Sequence, residues 1–385
     1  MAAKVAIRQC EDYQDDLVQK AVAEAAGAVC DPVALLRDRK VLIKINLLMN
    51  VGPERGVCTH PALTRAIIRL CKDAGAAKII VGDMPGMNLT DKPEEAFEAS
   101  GNAAVCREEG TKIAPFSRKG YREVKVKNHR QLPVLNVAKD LLDAEVVINA
   151  PKLKFHIQAL YTGAIKNWFG TITNADRRRS HRLSQLQPFS ESLVDIFSTR
   201  LPELTVMDAI VGMEGRGPSE GKLKNLGLVL ASTDAVALDA VALECVDWSA
   251  QNVPHVYVAG RDGLGEADFS KISVDGPAIS DVRKHFERPP RSSLNPPKWL
   301  VKIIFRLYYM RPKIIVADCQ TCGACEKMCP VGAIHMTENF AVINSKKCIE
   351  CFCCHEACPH GAVGEDMSLV YRMHRRYEKW RENRR

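Results

Sequence analysis

Eight cysteines near the C-terminal end of the chain have a spacing that dictates a chemistry. Cys319, Cys322, Cys325 and Cys329 precede Pro330 in the run C-x2-C-x2-C-x3-C-P, and Cys348, Cys351, Cys354 and Cys358 precede Pro359 in the same run. Each cysteine recurs 29 residues later, so the segment is an internal repeat. Three thiolates set two residues apart can wrap one face of an iron–sulfur cubane, and this run is the spacing of [4Fe–4S] ligation. Paired C-x2-C also occurs at zinc sites. Four cysteines in this run, the proline after them and the duplicate point to iron instead. Two [4Fe–4S] clusters are therefore expected, and with them the transfer of electrons one at a time. Potentials and direction of flow are set by hydrogen bonds, charge and exposure, which spacing does not encode.

Each run is followed by a small-residue turn, Val331-Gly332-Ala333-Ile334 and His360-Gly361-Ala362-Val363. With these turns the repeat resembles the two pseudo-twofold halves of a bacterial two-cluster ferredoxin. In such ferredoxins the fourth cysteine of a run ligates the other cluster. The resemblance implies that Cys319, Cys322, Cys325 and Cys358 hold one cluster, and that Cys348, Cys351, Cys354 and Cys329 hold the second. Each cluster would tie both halves together, so losing either should loosen the module, because metal binding and folding are coupled in small metal domains. Cys353 is an extra thiol, expected to be structural and turned away from the cube. Cys71 and Cys245 fall on apolar helix faces and are expected as buried hydrophobes. Cys58, between Val57 and Thr59-His60 in a loop, is the one scattered thiol to watch.

The elements that precede the repeat alternate in type. Val41–Asn46 reads as an apolar strand, Pro61–Ala74 as a helix opened by proline, and Lys78–Asp83 as the next strand. That is a βαβ unit, which implies parallel pairing. Further strands are expected at Ala144–Asn149, Leu204–Val211 and Leu226–Ala231, with a helix at Ala159–Phe169. Thr233 or Asp234 would cap another helix running to Cys245. The fold class is α/β: a large domain with a mainly parallel sheet over residues 1–294, then a linker and amphipathic helix over 295–312. A small α+β ferredoxin-like domain over 313–366 and a basic tail over 367–385 complete the chain.

Bulk properties fit this division. Of 385 residues, 46% are hydrophobic and 26% charged, with a formal charge of +8, which is ordinary globular composition. Met1–Cys10 lacks the apolar stretch of a signal peptide, and no run approaches the ~18 apolar residues of a membrane span. A reducing cytoplasmic setting is expected, where clustered cysteines signal metal or catalysis. Lys298–Pro312 places Trp299, Ile303, Leu307 and Met310 at helical spacing beside lysines and arginine. Such a segment could lie at a membrane surface, but packing between domains is the preferred expectation. From Tyr371 onward there are 7 Arg or Lys against 2 Glu, which suits a solvated helix or a docking arm. No aromatic platform or reading helix accompanies it, so nucleic-acid binding is not expected.

Open α/β sheets bind ligands beyond the carboxyl ends of their strands. The polar residues expected there are Lys44 and Asn46, Asp83, then Lys152, Lys154 and His156, then Lys166 and Asn167. Gly212, Gly215 and Gly217 form a glycine-rich turn after Leu204–Val211. Lysines with a glycine loop suggest an anion or cofactor site, with Lys152, Lys154 and His156 as catalytic candidates. Asp239, in the apolar run AVALDAVAL, could be a buried carboxylate with a raised pKa.

The segments VLIKINLL, AGAAKIIVGDMPG, INAPKLKFH, GAIKNWFG, VMDAIVGMEGRGP and LGLVLASTDAVALDAVAL resemble the domain of unknown function numbered 362, over roughly residues 1–290. Fusion of that domain to a C-terminal ferredoxin module is common in the family, which implies an iron–sulfur protein and supplies no reaction. The preferred function is an oxidoreductase, or its electron-input component, exchanging electrons with a substrate, an unidentified organic cofactor or a redox protein partner. The alternatives are an electron carrier or cluster-assembly factor whose α/β domain recognises a protein client, and a non-redox enzyme with a sensing or structural ferredoxin. The oligomeric state is not encoded in any motif.

Overall fold

The computed structural model describes residues 3–86, 89, 92–183, 185–290, 310–369, 371–373 and 376. The chain divides into two compact units, Met1–Arg288 and Pro289–Arg385. Most of the amphipathic segment Lys298–Pro312 and most of the basic tail lie outside the described residues.

Among the described residues the first unit has the strands β1 (Lys4–Gln9), β2 (Lys40–Ile45), β3 (Lys78–Asp83), β4 (Lys112–Pro115), β5 (Tyr121–Lys125), β6 (Val134–Ala138), β7 (Val146–Ala150), β8 (Lys152–His156), β9 (Leu160–Thr162), β10 (Leu204–Glu214), β11 (Lys222–Ser232) and β12 (Ser273–Asp275). Ten of them form one sheet in the order β12-β1-β11-β10-β7-β2-β3-β4, with β8 pairing β10 and β9. The pairs β2–β3, β2–β7, β3–β4, β7–β10, β8–β10 and β1–β12 are parallel, while β1–β11, β10–β11 and β8–β9 are antiparallel. The sheet is thus mainly parallel, and its central strands are near-continuous apolar runs because both faces are covered.

Side chains alternate between those faces. Leu42 joins one apolar layer and Val41, Ile43 and Ile45 the other. The helix Pro61–Asp73 lies in the second layer, burying Leu63, Ile67, Ile68 and Cys71. Pro61 opens it, and the His60 side chain caps it by accepting from Ala62 N. The helix Ala235–Cys245 lies in the first layer and is buried nearly all round, as its unbroken apolar sequence requires. Asp234 caps it by accepting from Val236 N and Ala237 N.

Two local readings change. The expected helix Ala159–Phe169 begins instead as strand β9, and helix occupies Ala164–Asn167 with a 3-10 turn over Trp168–Thr171. Phe155 and Tyr161 pair across β8 and β9, so the apolar residues there serve a period of two. Gly212, expected in a turn, lies inside β10, which runs on to Glu214 against β11.

In the second unit β13 (Met310–Ile314) pairs β16 (Val363–Met367), and β14 (Ile334–Met336) pairs β15 (Ala341–Ile343), both antiparallel. The short helix Ala324–Met328 recurs 29 residues on as Cys353–Ala357. Left-handed backbone recurs with the same offset, Thr321, Gly323 and Gly332 matching Glu350, Phe352 and Gly361. The sequence repeat is therefore a backbone repeat, in a small α+β unit of the ferredoxin kind.

Candidate functional site

The thiols of the second unit line two hollows. Cys319, Cys322, Cys325 and Cys358 border one, and Cys329, Cys348, Cys351 and Cys354 border the other. Each hollow thus takes three cysteines from one run and the fourth from the other. Backbone amides donate to the fourth thiols at equivalent places, Ala333 N to Cys329 Sγ at 3.1 Å and Ala362 N to Cys358 Sγ at 3.2 Å. Among the described residues no three His, Cys, Asp or Glu side chains gather around a point as a single ion requires. Four thiols spread around an apolar hollow, with amides aimed at sulfur, fit a cubane. Cys353, expected to turn away, is fully buried, and its residue borders the second hollow.

At the carboxyl end of β2 and β3 the candidate residues bind one another. Lys44 Nζ lies 2.8 Å from Asp83 Oδ1, and both side chains are almost wholly buried, at 0% and 2% exposure. The ammonium also donates to Ile45 O and to Asn167 Oδ1. Asp83 accepts from Leu47 N and Met84 N, both at 2.7 Å. Burial pushes the Lys44 pKa down and the Asp83 pKa up, and each charge opposes the shift of the other. Asn167 donates to Asn149 Oδ1 and accepts from Asn46 Nδ2, while Lys154 Nζ donates to Asn46 Oδ1 and Val57 O. Gly170 covers the ion pair so closely that a Cβ there would stand 2.1 Å from Asp83 Oδ1.

A second buried pair belongs to β8 and β10. Lys152 Nζ lies 2.9 Å from Asp208 Oδ1, at 1% and 0% exposure. Lys152 also donates to the Tyr13 hydroxyl, which donates to Asp208 Oδ1. His60 N donates to Asp208 Oδ2, and the His60 and Tyr13 rings stack 3.6 Å apart. Burial holds the His60 pKa down to about 4 despite Asp208, so its imidazole is neutral. Tyr13, Asp208 and the role of His60 are not marked by any local motif. Arg177 is a further buried cation that the sequence does not flag, with its guanidinium donating to the carbonyls of Met84, Pro85, Phe169 and Gly170.

The remaining candidates are dispersed. Asp239 is buried and accepts from Ala164 N, Ile165 N and the Tyr161 hydroxyl, capping the helix Ala164–Asn167 from outside it. Burial raises its pKa to about 7, against the pull of those donors. His156 Nδ1 accepts from Gln158 N and Ala159 N, which places the ring proton on Nε2. Gly215 N donates to Glu287 O, and Gly217 lets its loop approach β8, where a Cβ would come 1.9 Å from Phe155 O. Gly212 packs by Leu153 and Phe286. Lys166 Nζ lies over the Phe169 ring. Cys58 is buried with Sγ between Leu48 N and Met49 O.

Comparison with known proteins gives two matches along the chain. Residues 41–244 match the family described as Domain of unknown function (DUF362), and residues 311–359 match the 4Fe-4S dicluster domain. A thylakoid-associated protein of Synechocystis is 31% identical over 228 residues, 58% of this chain and 68% of that protein. A ferredoxin-like protein from the nif region of Sinorhizobium fredii is 51% identical over 38 residues, 10% of this chain and 59% of that protein. Two solved structures align with part of the chain: the lactate racemase apoprotein from Thermoanaerobacterium thermosaccharolyticum, at 12% identity and TM-score 0.41, and a Thermotoga maritima protein, at 10% identity and TM-score 0.36. They cover 63% and 59% of this chain, which in turn spans 57% of each. Among the described residues no helix is long and apolar enough to cross a membrane.

Proposed function

Because the chain belongs to the DUF362 family and adds to it a 4Fe-4S ferredoxin domain suited to iron–sulfur electron transfer, we propose that it is an electron-transferring oxidoreductase, or the electron-input component of one, with two clusters. Bound [4Fe–4S] clusters supply one-electron transfer. Cys319, Cys322, Cys325 and Cys358 would hold one, and Cys348, Cys351, Cys354 and Cys329 the other. The amides of Ala333 and Ala362 would stabilise the thiolate charge at the fourth ligands. The observation that carries this reading is the crossed lining of the two hollows, each taking three cysteines of one C-x2-C-x2-C-x3-C run and the fourth of the other, with Cys353 as an extra thiol beside the second.

The electrons would pass to or from a small ligand or organic cofactor in the α/β unit, near the ends of β2, β3 and β8. There Lys44, Asn46, Asp83, Lys152, Lys154 and Asn167 fix the strand ends, and Lys166 and His156 lie beyond them. A second reading, an electron carrier whose α/β unit recognises a redox protein or client, draws support from the two ion pairs. Both are buried and answered by their own neighbours, as structural pairs are. The test is anaerobic purification followed by iron and sulfide analysis, spin counting of the reduced protein and mass spectrometry of released small molecules. Two clusters with a stoichiometric ligand are expected. A single cluster would overturn the two-cluster reading, none would overturn the electron-transfer part, and two clusters with no ligand would favour the carrier.

A further inference from the structure

The two halves of the cysteine repeat are unequally covered. Cys322 is exposed, whereas Cys351, its equivalent 29 residues on, is buried. Gly323 and Ala324 are half-buried, and Phe352 and Cys353 in their places are 1% and 0% exposed. Glu326 and Lys327 are exposed, while His355 and Glu356 are buried. The difference reaches the hollows. Three exposed residues, Gln320, Cys322 and His360, border the hollow of Cys319, Cys322, Cys325 and Cys358. Among the described residues none that borders the hollow of Cys329, Cys348, Cys351 and Cys354 is exposed. Where the first has Gln320 and His360, the second has their repeat equivalents Ile349 and Val331. Apart from its thiols, the side chains of the second wall are apolar.

One position in that wall is held against a backbone cost. Gly323 has φ 72°, left-handed backbone that glycine adopts freely. Phe352 keeps the same conformation at φ 60°, where a bulky side chain is strained. A glycine would make this turn without the strain. Phe352 instead sets its residue on the border of the second hollow, and Cys353 follows it there, where Ala324 borders the first. Strain kept at one half of a repeat and avoided at the other points to a local use. A bound [4Fe–4S] cluster gains one negative charge when it accepts an electron, and its potential follows exposure, nearby charge and hydrogen bonds. A wall that excludes water makes added charge more costly.

We propose that Ile349, Phe352 and Cys353 seal the second hollow and so make the two cluster sites unequal. The open hollow, at Cys322, is the port that exchanges electrons with one-electron donors and acceptors in solution, and it is the easier to reduce. The sealed hollow has the lower potential. The inference rests on the reading that the chain carries two clusters, and it names the residues that set them apart. Each exchange at the port moves a single electron from the donor, with no bond made or broken. Ile349 and Phe352 take no part in that transfer and act by excluding water, as positioning residues do.

The test is an anaerobic redox titration of the cluster-replete full chain, followed by electron paramagnetic resonance, on wild type, Phe352→Gly and Ile349→Gln. Each variant installs the residue that the first half carries at that place. Wild type should reduce in two steps at least about tenfold apart in equilibrium constant, or about 59 mV for one electron. Either substitution should ease the lower step by at least about threefold and leave the upper step in place. After exchange into D2O, fully reduced Phe352→Gly should show more deuterium coupling to the clusters than wild type. Ile349→Gln leaves Phe352 standing and decides the matter if Phe352→Gly does not hold its clusters. The inference is overturned if wild type reduces in one step, if the substitutions move the upper step or neither, or if the deuterium coupling does not grow. Iron and sulfide analysis accompanies each sample. One cluster in wild type would sink the two-cluster reading and this inference with it, whereas two clusters of equal potential would remove this inference alone.

Discussion

Replacing Asp83 by Asn should destabilise the α/β unit through Lys44 rather than through Asp83 itself. The substitution keeps the size of the side chain and removes its charge. Lys44 Nζ would then keep only Ile45 O and Asn167 Oδ1 as partners, in a place with no exposure. Breaking a buried pair from one side costs about 3–5 kcal/mol, because the surviving charge is left uncompensated. For a unit of this size each kcal/mol moves Tm by about 2–4 °C, so a fall of roughly 6–15 °C is expected by anaerobic scanning calorimetry. Lys44→Met with Asp83→Asn together should recover most of it, since no charge remains to be buried. There is a pH signature as well. Without Asp83, the Lys44 pKa in the folded state drops further below its unfolded value. The unfolded chain then binds more protons, so stability rises with pH up to the ordinary lysine range. Asp83→Asn should thus melt closer to wild type at pH 9 than at pH 7. A loss of less than about 1 kcal/mol, or a double variant as unstable as the sum of the singles, would refute the claim that a charged pair is buried there.

Gly170→Ala should reproduce much of this defect with every charged residue intact, because the added Cβ stands 2.1 Å from Asp83 Oδ1; overpacking of this kind costs about 1–3 kcal/mol, readable in the same melts. Asp239 has a folded pKa near 7 against an ordinary value of 3.8, so its contribution to stability is full below about pH 4 and is lost as pH rises through 7. Asp239→Asn should flatten the stability profile between those limits, at the expense of an acceptor for Ala164 N or Ile165 N. Cys358→Ser should empty the hollow formed by Cys319, Cys322 and Cys325 rather than the one nearest in sequence, which spin counting on Cys358→Ser and Cys354→Ser can distinguish. Chelation of iron under oxidising conditions should raise amide exchange across residues 310–369 and leave the main sheet protected.

The sequence exposes the parts of this molecule whose causes are local. β3 spans Lys78–Asp83 as its β-branched run suggests, and Pro61 opens the helix that follows β2. The cysteine runs expose the backbone repeat because ligand spacing and turn geometry share one period. What local pattern conceals is long-range compensation. Lys152 and Lys154 sit in a fully buried strand, where lysine is rarely found. Strand is allowed there because Asp208, Tyr13, Asn46 and the Val57 carbonyl arrive from distant parts of the chain. Read without those partners, KLKFH looks like the polar exit of a strand. The same holds for Arg177, one of several basic residues in NADRRRSHR, which the fold singles out with four carbonyls.

The crossed lining of the two hollows also bears on how the chain is made. Synthesis runs from the N-terminus, so Cys319, Cys322 and Cys325 leave the ribosome first, yet the last thiol of their hollow is Cys358, the final cysteine of the chain. The hollow begun first is completed last, after Cys354 has completed its neighbour. Neither run of cysteines supplies every thiol of a hollow. A chain cut short between Cys354 and Cys358 would own every thiol of one hollow and three of the other, an open triad that any passing metal or oxidant could reach. The order of emergence thus places completion of the first hollow after completion of the second.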